Sequence, residues 1–114
     1  MQTPQHISIN SLPLEKAHGG EGSRRLILTP GENVSPNLEA FANTFLPAGG
    51  RFGWHKHDEV DEIMVCLAGN GVIEFDTGES FAFGERDLVY IPKRILHTIS
   101  CSDSPTEYFF IRLS

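Results

Sequence analysis

Glycine and proline punctuate this chain between short apolar stretches, a spacing that leaves room for strands and for few helices. Arg24 to Leu28, Leu38 to Leu46, Glu62 to Leu67, Val72 to Phe75, Ser80 to Phe83, Asp87 to Ile91, His97 to Cys101 and Glu107 to Leu113 each read as a strand. Ala68-Gly-Asn-Gly71 and Asp76-Thr-Gly78 place residues tolerant of positive φ between apolar runs, as hairpins require. Pro36 would suit a short helical turn over Ser35 to Asn43, but Phe41 and Phe45 fit a strand, to which we assign it. The pattern predicts an all-β domain, a barrel or jelly-roll sandwich, at 23–114. Residues 1–22 hold Pro4, Pro13 and a glycine-rich end, and read as an N-terminal arm with one short strand at His6 to Ile9. His6 and His18 in that arm are expected to be exposed.

At 114 residues the chain makes one domain, and folding at this size hides roughly two-thirds of the surface the unfolded chain exposes. No disulfide or metal staple is required, so a metal site here is expected to serve function. Nine basic residues against fifteen acidic ones, a formal net charge of −6 and the lack of a basic run argue against nucleic acid as a partner. No apolar run approaches the length of a membrane span, and no basic stretch followed by an apolar core opens the chain. The expectation is a cytoplasmic protein with no membrane partner. Cys66 and Cys101 are too few for a disulfide scaffold and too far apart for a thiolate zinc site, so they read as reduced, buried thiols.

Two segments carry the chemistry. Gly49-Gly-Arg-Phe-Gly-Trp-His55-Lys-His57-Asp-Glu-Val-Asp-Glu62 and the later Pro92-Lys-Arg-Ile-Leu-His97 collect three imidazoles and a carboxylate. That donor set suits one divalent transition metal, whether Fe, Mn, Ni, Co, Cu or Zn. Side chains two apart in a strand share a face, so His55 and His57 can converge while Lys56 turns away. The same parity places Met64 and Cys66 with Glu62, and Ile99 and Cys101 with His97. These four are candidates for the apolar wall of a small-molecule pocket.

The two segments resemble the motifs of the cupins. The family's first motif runs glycine, five residues, His-x-His, three or four residues, glutamate, six residues, glycine, and Gly49, His55, His57, Glu62 and Gly69 fit it throughout. Its second runs glycine, five residues, Pro-x-Gly, two residues, histidine, three residues, asparagine. Pro92 and His97 keep their places there, while Arg86, Arg94 and Cys101 replace the two glycines and the asparagine. Arg94 implies either a turn that needs no positive φ or one that tolerates strain. The resemblance implies a cupin-type double-stranded β-helix, a jelly-roll barrel, with His55, His57, Glu62 and His97 as metal ligands. It also implies one or two open coordination positions for a substrate oxygen or dioxygen, and a homodimer formed through the sheets, with the arm able to exchange between subunits.

Other residues have plainer readings. Asp58, Glu59 and Asp61 form a solvated acidic turn, with Asp58 or Glu59 as a candidate proton carrier at the site mouth. Trp54, of opposite parity to His55, is expected on the outer face. Tyr90 reads as a core tyrosine with a bonded hydroxyl, and as a candidate acid or donor to substrate. Arg51, close in sequence to the histidines, is the candidate anchor for an anionic substrate, with Arg86, Lys93 and Arg94 expected at the surface. Tyr108-Phe-Phe-Ile-Arg-Leu alternates too little for a half-solvated strand, so both its faces should be covered, one of them by a second subunit. The leading functional expectation is a metal-dependent enzyme of dioxygenase or isomerase/lyase type acting on an oxygenated or anionic metabolite. The alternative is a non-catalytic module that binds or senses a sugar or acid.

Overall fold

The computed structural model describes residues 3–17, 21–31 and 33–114, so His18 lies outside the described residues. The strands are β1 (Glu15–Lys16), β2 (Ser23–Leu28), β3 (Leu38–Leu46), β4 (Arg51–His55), β5 (Asp61–Ala68), β6 (Gly71–Phe75), β7 (Ser80–Phe83), β8 (Leu88–Ile91), β9 (His97–Cys101) and β10 (Thr106–Leu113). Each strand expected from Arg24 onward is present within one residue of its expected bounds. The expected strand at His6 to Ile9 is absent. A 3₁₀ turn, Ile9–Ser11, stands there, closed by bonds from the Ser11 and Leu12 amides to the Ser8 and Ile9 carbonyls at 3.1 and 3.0 Å. The arm folds back along its own chain instead, with Glu15 and Lys16 paired to Arg24 and Ser23.

Two antiparallel sheets form the barrel, one ordered β1-β2-β3-β10-β5-β8 and the other β4-β9-β6-β7. Their facing sides supply the core by strict alternation. In β5 Glu62, Met64 and Cys66 point inward, in β8 Val89 and Ile91, and in β10 Thr106, Tyr108 and Phe110. Tyr108 is fully buried, with its ring 5.9 Å from Phe83 and 5.3 Å from Phe110. Burial of each large apolar side chain in this cluster contributes about 1.5–3 kcal/mol. Cys66 and Cys101 are free and buried as expected, and burial pushes the Cys66 thiol pKa up. On the outer side of β10, which lies between β3 and β5, Phe109 is half-buried and packs edge-on against Phe41 at 5.2 Å.

The first-motif glycines Gly49 and Gly69 adopt φ of +71° and +82°, a conformation that glycine takes without steric cost. Arg86 and Arg94 stand in the second-motif glycine positions and adopt φ of +70° each. Of the two alternatives left open for Arg94, the turn therefore keeps its left-handed geometry and carries the strain. Glycine at Arg94 would remove roughly 1–2 kcal/mol of left-handed strain against roughly 0.5–1 kcal/mol of added chain entropy. Arg94→Gly should accordingly raise unfolding free energy by about 0.5–1 kcal/mol in urea denaturation, while Arg94→Ala, which keeps the strain, should give no gain. A glycine variant no more stable than the alanine variant would show that the turn is unstrained.

Candidate metal centre

The four sequence-predicted ligands come from β4, the β4–β5 connection, β5 and β9. In the β4–β9 pair Phe52 faces Ile99 and His55 faces His97, so three steps on β4 oppose two on β9. This bulge matters because simple alternation from Phe52 would turn His55 outward, together with Arg51; the extra residue returns His55 to the inner side. Trp54 stays outside, 50% exposed, as expected. His57 is not on the strand that the His-x-His spacing suggested. It lies past the end of β4, in the connection to β5.

That connection is tied to the turn before His97. The Arg94 amide donates to the His57 carbonyl at 2.6 Å. The Asp61 carboxylate accepts the Tyr90 hydroxyl at 2.6 Å and the Lys93 amide at 2.9 Å. These two bonds, the Tyr90 one foremost, hold the Asp61 pKa down, and the same carboxylate raises that of Tyr90.

One potential ligand atom from each of His55, His57, Glu62 and His97 lies within 4.8 Å of all the others. His57 Nε2 is 3.6 Å from Glu62 Oε2, and His97 Nε2 is 3.9 Å from Glu62 Oε1. His55 Nδ1 meets the Gly53 carbonyl at 2.7 Å and His97 Nδ1 meets that of Ile95 at 2.9 Å. A carbonyl can only accept, so in each ring Nδ1 carries a proton, which leaves Nε2 as the nitrogen a metal would take. Burial lowers the pKa of His57 and His97, with Glu62 opposing the shift in both, and Ile95 as well in His97, so burial favours the neutral form that can ligate a metal. Their buried Nε2 atoms have no hydrogen-bond partner among the described residues. Unpartnered buried nitrogens facing a carboxylate are costly in a closed polypeptide and are what an electron-pair acceptor would satisfy. By this test the donor set fits a divalent transition metal.

Glu62 is 2% exposed and has a partner that the motif does not contain. Arg112 stands directly opposite it in the β5–β10 register, and its Nε donates to Glu62 Oε2 at 2.8 Å. The signal for Arg112 was the parity of the last strand, where Tyr108, Phe110 and Arg112 share one side. A cavity of about 60 Å³ opens beside the cluster between the sheets, walled by His55, Glu62, Ile99, Phe110, Arg24 and Arg112 among others. Its room comes from three alanines, Ala17, Ala40 and Ala42.

Several candidate pocket residues lie elsewhere. Ile99 lines the cavity, but Met64, Cys66 and Cys101 belong to the packed core, because parity fixes a side and not a depth along the strand. Tyr90 is not a core residue: it alternates with the inward Val89 and Ile91 and is 51% exposed on the outer side. Arg51 is exposed beyond the bulge, its Nη2 donating to Thr98 Oγ1 at 3.3 Å. Asp58 and Glu59 are exposed in the loop, Asp58 lying 3.5 Å from the Lys56 amine. None of these last four lines the cavity.

A jelly-roll barrel with three histidines and a glutamate gathered at one end defines the class of protein. Residues 44–112 match the family described as Cupin domain, and the chain belongs to that family. The uncharacterized protein MJ1618 of Methanocaldococcus jannaschii is 32% identical over 73 residues, which is 60% of this chain and 58% of that protein. The chain thus spans less than two-thirds of that relative's length. A crystal structure described as a predicted oxalate decarboxylase from Thermotoga maritima superposes with a TM-score of 0.76 at 21% identity, covering 96% of this chain and 98% of that one. The polyketide cyclase RemF from Streptomyces resistomycificus gives 0.79 at 16% identity, over 97% and 79% of the two chains. At these identities the likeness is one of fold. Among the described residues no helix is long and apolar enough to cross a membrane.

Removing the guanidinium from Glu62 should be felt in the metal-free protein. Arg112→Gln is expected to lower unfolding free energy by roughly 1–2 kcal/mol, the range for a partly screened hydrogen bond between charged groups. Urea denaturation of chelator-treated protein reads this directly, and unchanged stability would mean that Glu62 is satisfied without Arg112.

Proposed function

We propose that this cupin is a metal-dependent enzyme acting on a small oxygenated or anionic metabolite. The observation that carries the reading is the pair of buried, unpartnered Nε2 atoms of His57 and His97, set against Glu62 in a cluster whose other members line a cavity. His55, His57, Glu62 and His97 would hold one divalent ion. Such an ion supplies Lewis-acid polarisation of a substrate oxygen and, where it is redox-active, electrons for dioxygen chemistry.

The chain's own contribution is to hold and to exclude. The Gly53 and Ile95 carbonyls fix two imidazole tautomers and ring orientations. Arg112 pins Glu62 Oε2 and leaves Oε1 toward His97. Phe52, Ile99 and Phe110 keep the space beside the cluster apolar. Outside the cluster, the described lining residues include no carboxylate, imidazole, phenol or thiol to act as a separate base. This supports reactions driven at the cluster itself, such as oxidative cleavage or decarboxylation, over those that need an independent proton carrier.

The reading is tested by equilibrium dialysis with Fe, Mn, Co, Ni and Zn, followed by oxygen-uptake and product assays over a panel of diketones, catechols and small organic acids. One metal per chain is expected, with His57→Ala losing it by at least a hundredfold in affinity while circular dichroism still reports a folded barrel. An unfolded variant would mark the ion as structural. Saturable ligands recovered unchanged with every metal would turn the reading into that of a binding module.

A further inference from the structure

We propose that Arg24 and Arg112 make the cavity an anion-recognition site, and that its ligand is a small carboxylate bearing a second oxygen donor. The inference rests on the metal reading above and names the substrate class for it. In a chain of formal net charge −6, two guanidiniums line one cavity beside one carboxylate, Glu62. The two arginines reach it from opposite sides of β3: Arg24 faces Thr44 from β2, and Arg112 faces Ala40 from β10. Each is committed to a protein carboxylate through Nε, Arg24 to Glu15 at 3.0 Å and Arg112 to Glu62 at 2.8 Å. Among the described residues the terminal nitrogens of both have no further partner. A guanidinium anchored through Nε with its Nη groups free is oriented to accept another carboxylate at little extra conformational cost.

The size and walls of the cavity restrict what that carboxylate belongs to. A volume of about 60 Å³ holds roughly four to six water-sized groups at ~10–15 Å³ each. Ala40 and Ala42 on one side, with Phe52 and Ile99 on the other, offer no hydrogen bonds from their side chains. The polar groups of the lining are the two arginines, the Thr44 hydroxyl, His55 and Glu62, so the polar ends of the ligand are provided for there. A 2-hydroxy acid, 2-oxo acid or short dicarboxylate meets these requirements; a sugar, with hydroxyls on every side, does not. Glu15 is half exposed on β1 and holds Arg24 through Nε, so its negative charge opposes a second anion on the same guanidinium.

Titration calorimetry of cobalt-loaded protein with glycolate, and with uncharged glycolamide, tests the proposal. Wild type should bind glycolate at least tenfold more tightly than glycolamide. Arg24→Gln should weaken glycolate by about tenfold, the loss expected for one charge-assisted hydrogen bond, with cobalt content unchanged. Glu15→Gln, which keeps an oxygen for Nε but removes the like charge, should tighten glycolate severalfold, a gain that a merely structural role for the pair would not give. Equal affinity for both probes, or glycolate binding within twofold of wild type in both variants, overturns the proposal. Cobalt content measured on the same samples keeps the two readings apart. Protein that takes up no cobalt contradicts the metal centre, whereas fully loaded protein indifferent to both substitutions contradicts the arginine site alone.

Discussion

Burying Glu62 beside His57 and His97 is the constraint around which one end of this barrel is arranged. Polar groups withdrawn from water cost several kcal/mol each unless donors, acceptors or counter-charge replace the lost hydration. The chain answers part of that cost with Arg112 on Glu62 Oε2 and with backbone carbonyls on two of the imidazole rings. It leaves His57 Nε2 and His97 Nε2 without an answer among the described residues. The Thr106 and Tyr108 hydroxyls in the core also lack partners among these residues, but only the two imidazole nitrogens converge with a carboxylate, the arrangement that an electron-pair acceptor would satisfy.

The apolar barrel makes this arrangement affordable and rigid. Tyr108, Met64, Ile73, Ile91 and Ile99 fill the middle of the sandwich, and the strands that carry them extend directly into the polar end. Ile91 faces Glu62 across β5–β8, and Phe75 faces His97 across β6–β9. The bonds from Arg94 to the His57 carbonyl and from Tyr90 and Lys93 to Asp61 then clamp the loop carrying His57 onto the turn before His97. Residues outside the cavity thereby set the geometry inside it. The left-handed arginines at 86 and 94 keep turn shapes that their side chains do not favour, a sign that loop position outweighs local strain here.

Much of this was legible in the residues themselves. Period-two alternation located the strands and assigned Glu62, Met64, Cys66, Ile99 and Cys101 to the inner side, because each strand has one apolar side to bury. Alternation also held the answer for Tyr90, whose neighbours Val89 and Ile91 are the buried pair, and for Arg112, which follows Tyr108 and Phe110. What alternation could not supply was register and depth. The β4 bulge that separates Arg51 from His55 depends on pairing with β9, and the contact of Arg112 with Glu62 depends on pairing between strands fifty positions apart. The cavity needs three alanines, on the arm and on β3, to meet across space, so no local pattern announces it.

The central claim is that His55, His57, Glu62 and His97 bind one ion. Anomalous diffraction from crystals of cobalt-loaded protein tests it most directly, since the element's own signal locates the ion. The account predicts a single strong peak within about 2.0–2.3 Å of three imidazole nitrogens and a Glu62 oxygen. For His55 and His97 the nitrogen is Nε2, with Nδ1 still on the Gly53 and Ile95 carbonyls. A peak elsewhere, coordination through the Nδ1 of either ring, or full cobalt exposure with no peak at the cluster would contradict it.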